Sequence, residues 1–206
     1  METLIDQPLV LLGCAVAGYL LGSIPFGVIA TRLGGAGDVR DIGSGNIGAT
    51  NVLRTGRKDL ALLTLVGDAG KAAIALLVAR ALAGELAGVV AGGAAFLGHL
   101  FPIYLKFKGG KGVSSFFGLL LAGAWPVGLL AAATWLAMAY LLRFSSLAAL
   151  TAAALAPLFA FATDRSYAVI ALTVFMGVLI YIRHADNIGR LLKGEESKIG
   201  GSKTPA

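Results

Sequence analysis

Long apolar runs alternate with short polar segments along the chain, and this alternation predicts a bundle of membrane-spanning helices. A helix needs about 20 apolar residues to cross a bilayer, and the backbone of a span must satisfy its own hydrogen bonds. The predicted spans cover residues 9–30, 60–82, 86–105, 113–124, 126–142, 147–163 and 167–182. The pattern therefore indicates an all-α integral membrane protein, a seven-transmembrane helix bundle in a single polytopic membrane domain over residues 1–206.

The segment from Val113 to Leu142 decides the number of spans. Its 30 uncharged residues would form a helix about 45 Å long, which is too long for one upright crossing. Gly123 to Pro126 offers a place to turn. Apart from Lys71 inside a span, a hairpin places 14 Lys and Arg residues on one side and two on the other, whereas a single span divides them 9 against 7. Because basic residues concentrate on the cytoplasmic side, we expect the hairpin, with the N-terminus outside and the C-terminus in the cytoplasm.

Composition agrees with a membrane protein. The chain is 57% hydrophobic and 14% charged, and its mean hydropathy is +0.84, outside the usual range of soluble domains. The net charge of +6 follows membrane topology, and no basic stretch is interleaved with exposed aromatics, so we expect membrane lipids and no nucleic acid as partners. The one cysteine, Cys14, excludes an intramolecular disulfide. No cluster of Asp, His or Cys in the sequence suits a metal, and we predict no metal and no cofactor.

The first polar segment is GSGNIGATN, residues 43–51, whose first six residues match the dinucleotide pattern G-x-G-x-x-G. A dinucleotide site needs a strand before this turn and a helix after it in a βαβ unit, whereas here a membrane span follows. The glycines let backbone N–H groups turn inward, and Ser44, Asn46 and Arg54 add polar groups. Such a nest suits a phosphate or another oxyanion. The alternative is an interfacial loop whose basic residues only follow the positive-inside rule.

The second polar segment, KFKGGKG at residues 106–112, sets glycines beside lysines. It is not a Walker A loop, because Leu105 stands where the first glycine is needed and Gly112 follows Lys111. Lys111 lies just before the predicted start of a helix at Val113, and the dipole at a helix N-terminus also favours anions. For Lys106 and Lys108, contact with anionic lipid headgroups is the simpler interpretation.

The third polar segment begins where the last span ends. His184 and Asn187 are three residues apart and share a helix face, and Arg190 lies another three on. His184 suits orienting a hydroxyl or donating to a phosphate, and it also suits a plain interfacial anchor. The three polar segments share the predicted cytoplasmic side, where their cations, amides and hydroxyls are suited to clamping a phosphorylated substrate.

Two further pairs of polar residues lie near the spans. Asp68 and Lys71 are one helical turn apart inside the second span, where an unpaired charge is expensive, and we predict a mutual ion pair. Ser145 and Ser146 follow Arg143 at a helix start, where capping the helix and binding a substrate both remain open.

The chain resembles a family in four stretches: LLGSIPFG, GSGNIGATNVLR, GHLFPIYLKFKGGKG and HADNIGRLLKGEESK. They resemble the bacterial membrane acyl-phosphate:glycerol-3-phosphate acyltransferases, the PlsY family, in order from about Tyr19 to Lys198. The resemblance implies seven helices and transfer of a fatty acyl group from acyl phosphate to the 1-hydroxyl of glycerol 3-phosphate. The products are lysophosphatidate and inorganic phosphate, in the first step of bacterial phospholipid synthesis. It also implies a multi-pass protein of the bacterial cytoplasmic (inner) membrane, a site facing the cytoplasm, and no obligatory acyl carrier protein or acyl-CoA.

The resemblance also implies roles for individual residues. The expected catalytic set is Ser44, Arg54, Lys111, His184 and Asn187, and the expected substrate-binding set is Gly43, Asn46, Gly110, Ser145 and Ser146. The motifs do not decide whether Ser145 or Ser146 supplies the substrate-binding hydroxyl.

The expected mechanism relies on positioning. Arg54, Lys111 and Asn187 clamp phosphate oxygens, and Ser44 and His184 bring the glycerol hydroxyl against the acyl carbonyl carbon. The alternative function is a non-catalytic membrane carrier or sensor of phosphorylated metabolites. A carrier needs a polar route to the outer side, where the sequence has few polar residues.

Overall fold

The computed structural model describes residues 8–200 of the chain. Over this range every regular element is helical. The α-helices are α1 (Pro8–Gly22), α2 (Phe26–Leu33), α3 (Ala49–Val52), α4 (Lys58–Ala83), α5 (Glu85–Leu100), α6 (Val113–Gly123), α7 (Trp125–Leu142), α8 (Ser145–Ala162), α9 (Tyr167–Arg183) and α10 (Ala185–Leu192). Short 3-10 turns lie at Val39–Asp41, Leu53–Thr55 and Ile103–Leu105. The predicted positions of the two termini fall outside the described residues.

The first apolar run is interrupted by Pro25, between α1 and α2. Proline has no backbone N–H to donate within a helix, which explains the break. Upstream of Pro25, α1 packs closely on α5. The two backbones are so near that a Cβ at Gly18 would overlap Ala91, and one at Gly22 would overlap Ala95. Glycines allow two helix backbones to approach in this way within a membrane.

The segment from Val113 to Leu142 forms two helices that meet at Ala124. Pro126 stands in the first turn of α7, where its missing N–H is not needed. With 11 residues, α6 is about 16 Å long, roughly half the thickness of the hydrocarbon core.

Five helical segments among the described residues are long and apolar enough to cross a membrane, and α9 with α10 forms a sixth if this pair is one span. The pair bends by 62° between Arg183 and Ala185. Many large apolar side chains point outward, such as Leu62 at 61% exposure and Leu136 at 62%. Outward leucines on long helices are typical of a lipid-facing surface.

The main core is formed by apolar side chains from α4 to α9, which range from alanines to Phe96 and Phe116. A second, smaller core lies under the first polar loop, where Val39, Ile47 and Val52 pack with Val28 and Leu60. Phe101 packs against the main core and Leu105 packs against the smaller core, so the loop of residues 101–112 begins between the two.

Candidate active site

A cavity of about 430 Å³ lies where the three polar segments meet. Its volume is in the range of small-molecule sites. Its polar lining includes Ser44, Asn46, Lys111, Arg183, Asp186 and Arg190. Three of these six side chains are cationic, so the cavity favours an anion.

The first polar loop is organised around the buried side chain of Asn51. Its Nδ2 donates to the backbone carbonyls of Val39, Ile42 and Asn46 at 2.8–2.9 Å. Its Oδ1 accepts from the backbone N–H of Ser44 at 3.1 Å and from the Ser44 hydroxyl at 3.3 Å. The side-chain amide of Asn51 therefore fixes the backbone conformation of the loop and the position of Ser44 at the cavity.

Arg54 stands beside this loop and is exposed. Its Nη1 donates to Asn51 Oδ1 at 3.2 Å, and its Nη2 donates to the hydroxyl of Ser197 at 3.2 Å. Gly43 packs against the Arg54 side chain with a backbone φ of +58°, and a Cβ there would overlap it. Nη1 of Arg54 shares the acceptor Asn51 Oδ1 with Ser44, and neither outer nitrogen is paired with a carboxylate in the described part of the chain.

The second polar loop is held by hydrogen bonds to the end of α5 and to Arg183. The N–H groups of Gly109 and Gly110 donate to the last carbonyls of α5, those of Leu100 at 3.2 Å and His99 at 3.0 Å. The guanidinium of Arg183 donates to the carbonyls of the same two glycines at 3.0 and 3.1 Å. This double attachment holds the backbone next to Lys111.

Lys111 projects into the cavity and donates to Asn187 Oδ1. Burial lowers the pKa of Lys111 from its usual value, and the positive charge of Arg190 lowers it further. A partly desolvated ammonium interacts more strongly with an anion than one in open water does.

Glu196 holds the third segment together. Its Oε1 accepts from Ser146 Oγ at 2.7 Å and from Asn187 Nδ2 at 2.6 Å, and its Oε2 accepts from Arg190 Nε at 2.7 Å. Burial raises the pKa of this carboxyl, but the hydrogen bonds from Ser146, Asn187 and Arg190 lower it by more, so the pKa lies below its usual value. Because Nδ2 of Asn187 is taken by Glu196, its Oδ1 is presented to Lys111.

His184 occupies the bend between α9 and α10 and is 3% exposed. Its Nδ1 lies 2.8 Å from the carbonyl of Ile180, which can only accept, so Nδ1 carries the proton. Burial lowers the pKa of His184 to about 4, and the ring is neutral near pH 7. Nε2 is then a hydrogen-bond acceptor.

Comparisons with known proteins identify the family. The family model "Glycerol-3-phosphate acyltransferase" matches residues 12–194. The chain belongs to the glycerol-3-phosphate acyltransferase family. It is 68% identical over 190 residues to the glycerol-3-phosphate acyltransferase of Caulobacter vibrioides, covering 91% of this chain and 87% of that protein. It is 62% identical over 211 residues to that of Rhodospirillum rubrum, covering 97% and 96%.

Two crystal structures resemble this acyltransferase closely. Both are of PlsY, an integral membrane glycerol 3-phosphate acyltransferase. The glycerol 3-phosphate form has a TM-score of 0.87 at 38% identity, covering 92% of this chain and 96% of that chain. The lysophosphatidic acid form has a TM-score of 0.85 at 37% identity, covering 91% and 94%.

The residues expected to serve the acyltransferase lie at one end of the helix bundle. Ser44, Asn46 and Lys111 line the cavity, and Asn187 touches Lys111. Gly43 lies against Arg54, Gly110 adjoins Lys111, and His184 is flanked by two cavity residues. Ser146 is buried and bonded to Glu196, whereas Ser145 opens α8 with no side-chain hydrogen bond to the described residues.

Four residues of this arrangement are in neither of the two expected sets. Arg183, Asp186 and Arg190 line the cavity, and Glu196 accepts hydrogen bonds from Ser146, Asn187 and Arg190. Arg183 was visible in the sequence only as one more basic residue at the end of a span. In the sequence, Glu196 belongs to the polar stretch after the last span, which fits either a solvated tail or a supporting partner of the site; its hydrogen bonds to three side chains show the second.

Proposed function

We propose that this protein transfers a fatty acyl group from acyl phosphate to the 1-hydroxyl of glycerol 3-phosphate, giving lysophosphatidate and inorganic phosphate. Membership of the glycerol-3-phosphate acyltransferase family supports this function. So does the likeness to solved forms of PlsY with the substrate and with the product. The observation that carries the proposal is the cationic cavity beside a neutral histidine.

The cations of the site neutralise the negative charge of phosphate groups. In the proposal, Lys111 and the Arg54 fork bind phosphate oxygens. Asn187 was expected to bind phosphate as well, but its Nδ2 donates to Glu196 and its Oδ1 accepts from Lys111, so its role here is to hold Lys111 in place. Ser44 and the free Nε2 of His184 hydrogen-bond the glycerol part. Both substrates carry a phosphate, so their mutual repulsion must be offset before they meet.

The chemical step is an acyl transfer. The 1-hydroxyl oxygen of glycerol 3-phosphate forms a bond to the acyl carbonyl carbon, and the bond from that carbon to the phosphate oxygen breaks. Inorganic phosphate leaves, and a substrate phosphate oxygen takes the hydroxyl proton. Acyl phosphate is an activated mixed anhydride, so proximity and charge neutralisation supply most of the rate increase. The donor is free acyl phosphate, and neither acyl-CoA nor acyl carrier protein is required.

Topology is part of the proposal. A single domain over residues 1–206 spans the bacterial inner membrane seven times, with the N-terminus outside and the C-terminus and the cavity facing the cytoplasm. The distribution of Lys and Arg supports this orientation. Single cysteines introduced at Lys108 and Arg80 in a Cys14→Ala background test it. A membrane-impermeant maleimide applied to intact cells should label only the cysteine at position 80, and labelling at position 108 would overturn the orientation.

The reaction is tested with purified protein in detergent or in a lipidic phase. Glycerol 3-phosphate and palmitoyl phosphate are supplied, and phosphate release and lysophosphatidate are measured, with palmitoyl-CoA as an alternative donor. Lys111→Ala should abolish product formation. Lys108→Ala is the matched control, because this exposed lysine of the same loop does not line the cavity. Absence of product from folded protein with both donors would refute the enzyme function and favour a carrier or sensor.

A further inference from the structure

Three polar side chains are buried together among the membrane-spanning helices, just below the second polar loop. Asp68 and Lys71 come from α4 and His99 comes from α5, and each is at most 3% exposed. Lys71 Nζ lies 2.7 Å from Asp68 Oδ1, which confirms the predicted ion pair. Lys71 also donates to the carbonyl of Ile24 at 2.7 Å. His99 Nδ1 lies 3.5 Å from the same carboxylate oxygen of Asp68.

Stability does not explain this cluster. A buried ion pair contributes little net stability, and apolar side chains of similar volume often replace it without loss. Here Asp68 Oδ2 and His99 Nδ1 also lack a hydrogen-bond partner among the described residues. Incompletely satisfied polar groups in a core point to a role other than packing.

The cluster contacts the active site through the imidazole of His99. The ring lies against Gly110 so closely that a Cβ at this glycine would overlap Nε2. The backbone carbonyl of His99 accepts from the N–H of Gly110 at 3.0 Å. Lys111, the next residue, lines the cavity. The position of the His99 ring therefore limits where the backbone before Lys111 can lie.

We propose that His99 is a positioning residue for acyl transfer, oriented by Asp68 and acting through Gly110 on Lys111. The Asp68 carboxylate attracts the Nδ1 edge of the ring and thereby turns Nε2 toward the glycine. Lys71 neutralises Asp68, so the pair orients the ring without leaving a net charge in the membrane. The proposal rests on the proposed function, because it concerns the cation that binds the phosphorylated substrate.

The first test separates substrate positioning from stability. His99→Phe keeps a ring against Gly110 but removes both nitrogens. It should raise the KM for glycerol 3-phosphate by about tenfold while the KM for palmitoyl phosphate changes by less than about twofold. Amide hydrogen exchange of the 105–113 segment should become faster in the same variant. Thr173→Val is the control, since Thr173 is equally buried and, among the described residues, its hydroxyl bonds only to the Ile170 carbonyl of its own helix. It should change neither quantity.

The second test uses suppression between the two contacting residues. Gly110→Ala should raise the KM for glycerol 3-phosphate by about tenfold in the natural background, because its Cβ meets the ring. In a His99→Asn background the ring edge is gone, and the same change should cost less than about threefold. This test also works if His99→Phe fails to fold.

The outcomes distinguish this proposal from the proposed function. Additive effects of Gly110→Ala and His99→Asn, with hydrogen exchange of the 105–113 segment unchanged in the His99 variants, would overturn the positioning role. Absence of acyl transfer in the unmodified protein would instead refute the function, and hydrogen exchange would still decide whether His99 positions the loop.

Discussion

Replacing Glu196 by glutamine tests how the third segment is held together. The substitution keeps the shape of the side chain and removes its charge. In the structure Oε1 accepts from Ser146 and Asn187, and Oε2 accepts from Arg190. Glutamine has one acceptor oxygen and one NH2 group. It can serve either Arg190 or the other two donors, but not all three.

The magnitude follows from the bond that is lost. With the amide oxygen facing Ser146 and Asn187, the NH2 group meets Arg190 Nε, and a hydrogen bond to a charged group disappears. The Glu196 side chain is only 7% exposed, so water replaces the acceptor poorly. We expect a loss of about 1.5–3 kcal/mol in the free energy of unfolding. For a chain of this size that loss lowers the thermal midpoint by about 3–12 °C.

The pH dependence of this loss gives a second check. The folded-state pKa of Glu196 lies below its usual value of 4.5, so its carboxylate stabilises the fold above that value. This contribution is lost as the pH falls through the folded pKa. The difference in the free energy of unfolding between the unmodified protein and Glu196→Gln should therefore be largest at pH 7 and should decrease in acid.

The assay is thermal unfolding in detergent, followed by tryptophan fluorescence at neutral and acidic pH. Glu195→Gln is the matched control, because this neighbouring carboxyl is exposed and accepts no side-chain hydrogen bond from the described residues. An unchanged midpoint for Glu196→Gln at pH 7, or an equal loss for Glu195→Gln, would refute the reasoning.

Three further substitutions test other parts of the arrangement. Arg54→Lys keeps the charge but loses the fork, and we expect the KM for glycerol 3-phosphate to rise by about tenfold; an unchanged KM would argue against bidentate binding. Gly22→Ala places a Cβ on the α5 backbone and should destabilise the protein in thermal unfolding by about 1–3 kcal/mol, whereas Gly13→Ala, with open space around it, should not. Asp68→Ala should cost about 3–5 kcal/mol by leaving the Lys71 ammonium unpaired. A double change of Asp68 and Lys71 to leucine should cost less, and an equal cost would contradict the ion-pair argument.

Several features of the fold could be predicted because they depend on local physics. The helical class follows from apolar runs, since an unpaired backbone group is too costly in lipid. The ion pair of Asp68 and Lys71 follows from a spacing of three residues on one helix. The presence of glycines and cations at the cavity follows from the composition of the polar segments. None of these conclusions requires knowledge of how the helices pack.

Other features depend on contacts between residues far apart in the chain. Glu196 lies 50 residues from Ser146, and no periodicity relates the two. Arg183 and Gly110 are 73 residues apart, and only the packing of α9 beside the second loop brings a guanidinium to a glycine carbonyl. In the sequence, Asn51 looks like an ordinary loop residue. Its hydrogen bonds to the backbone of the first polar loop exist only in the folded protein.

The sequence by itself determined the helical membrane class, the family and the polar segments that meet at the cavity, because motifs and hydropathy are local properties of a chain. Only the tertiary structure decided that Ser146 rather than Ser145 is bonded to Glu196, and that His99 lies beneath Gly110. A hydrogen bond requires two groups within about 3 Å of each other. The packing angles and bends that produce such a distance depend on the whole helix bundle.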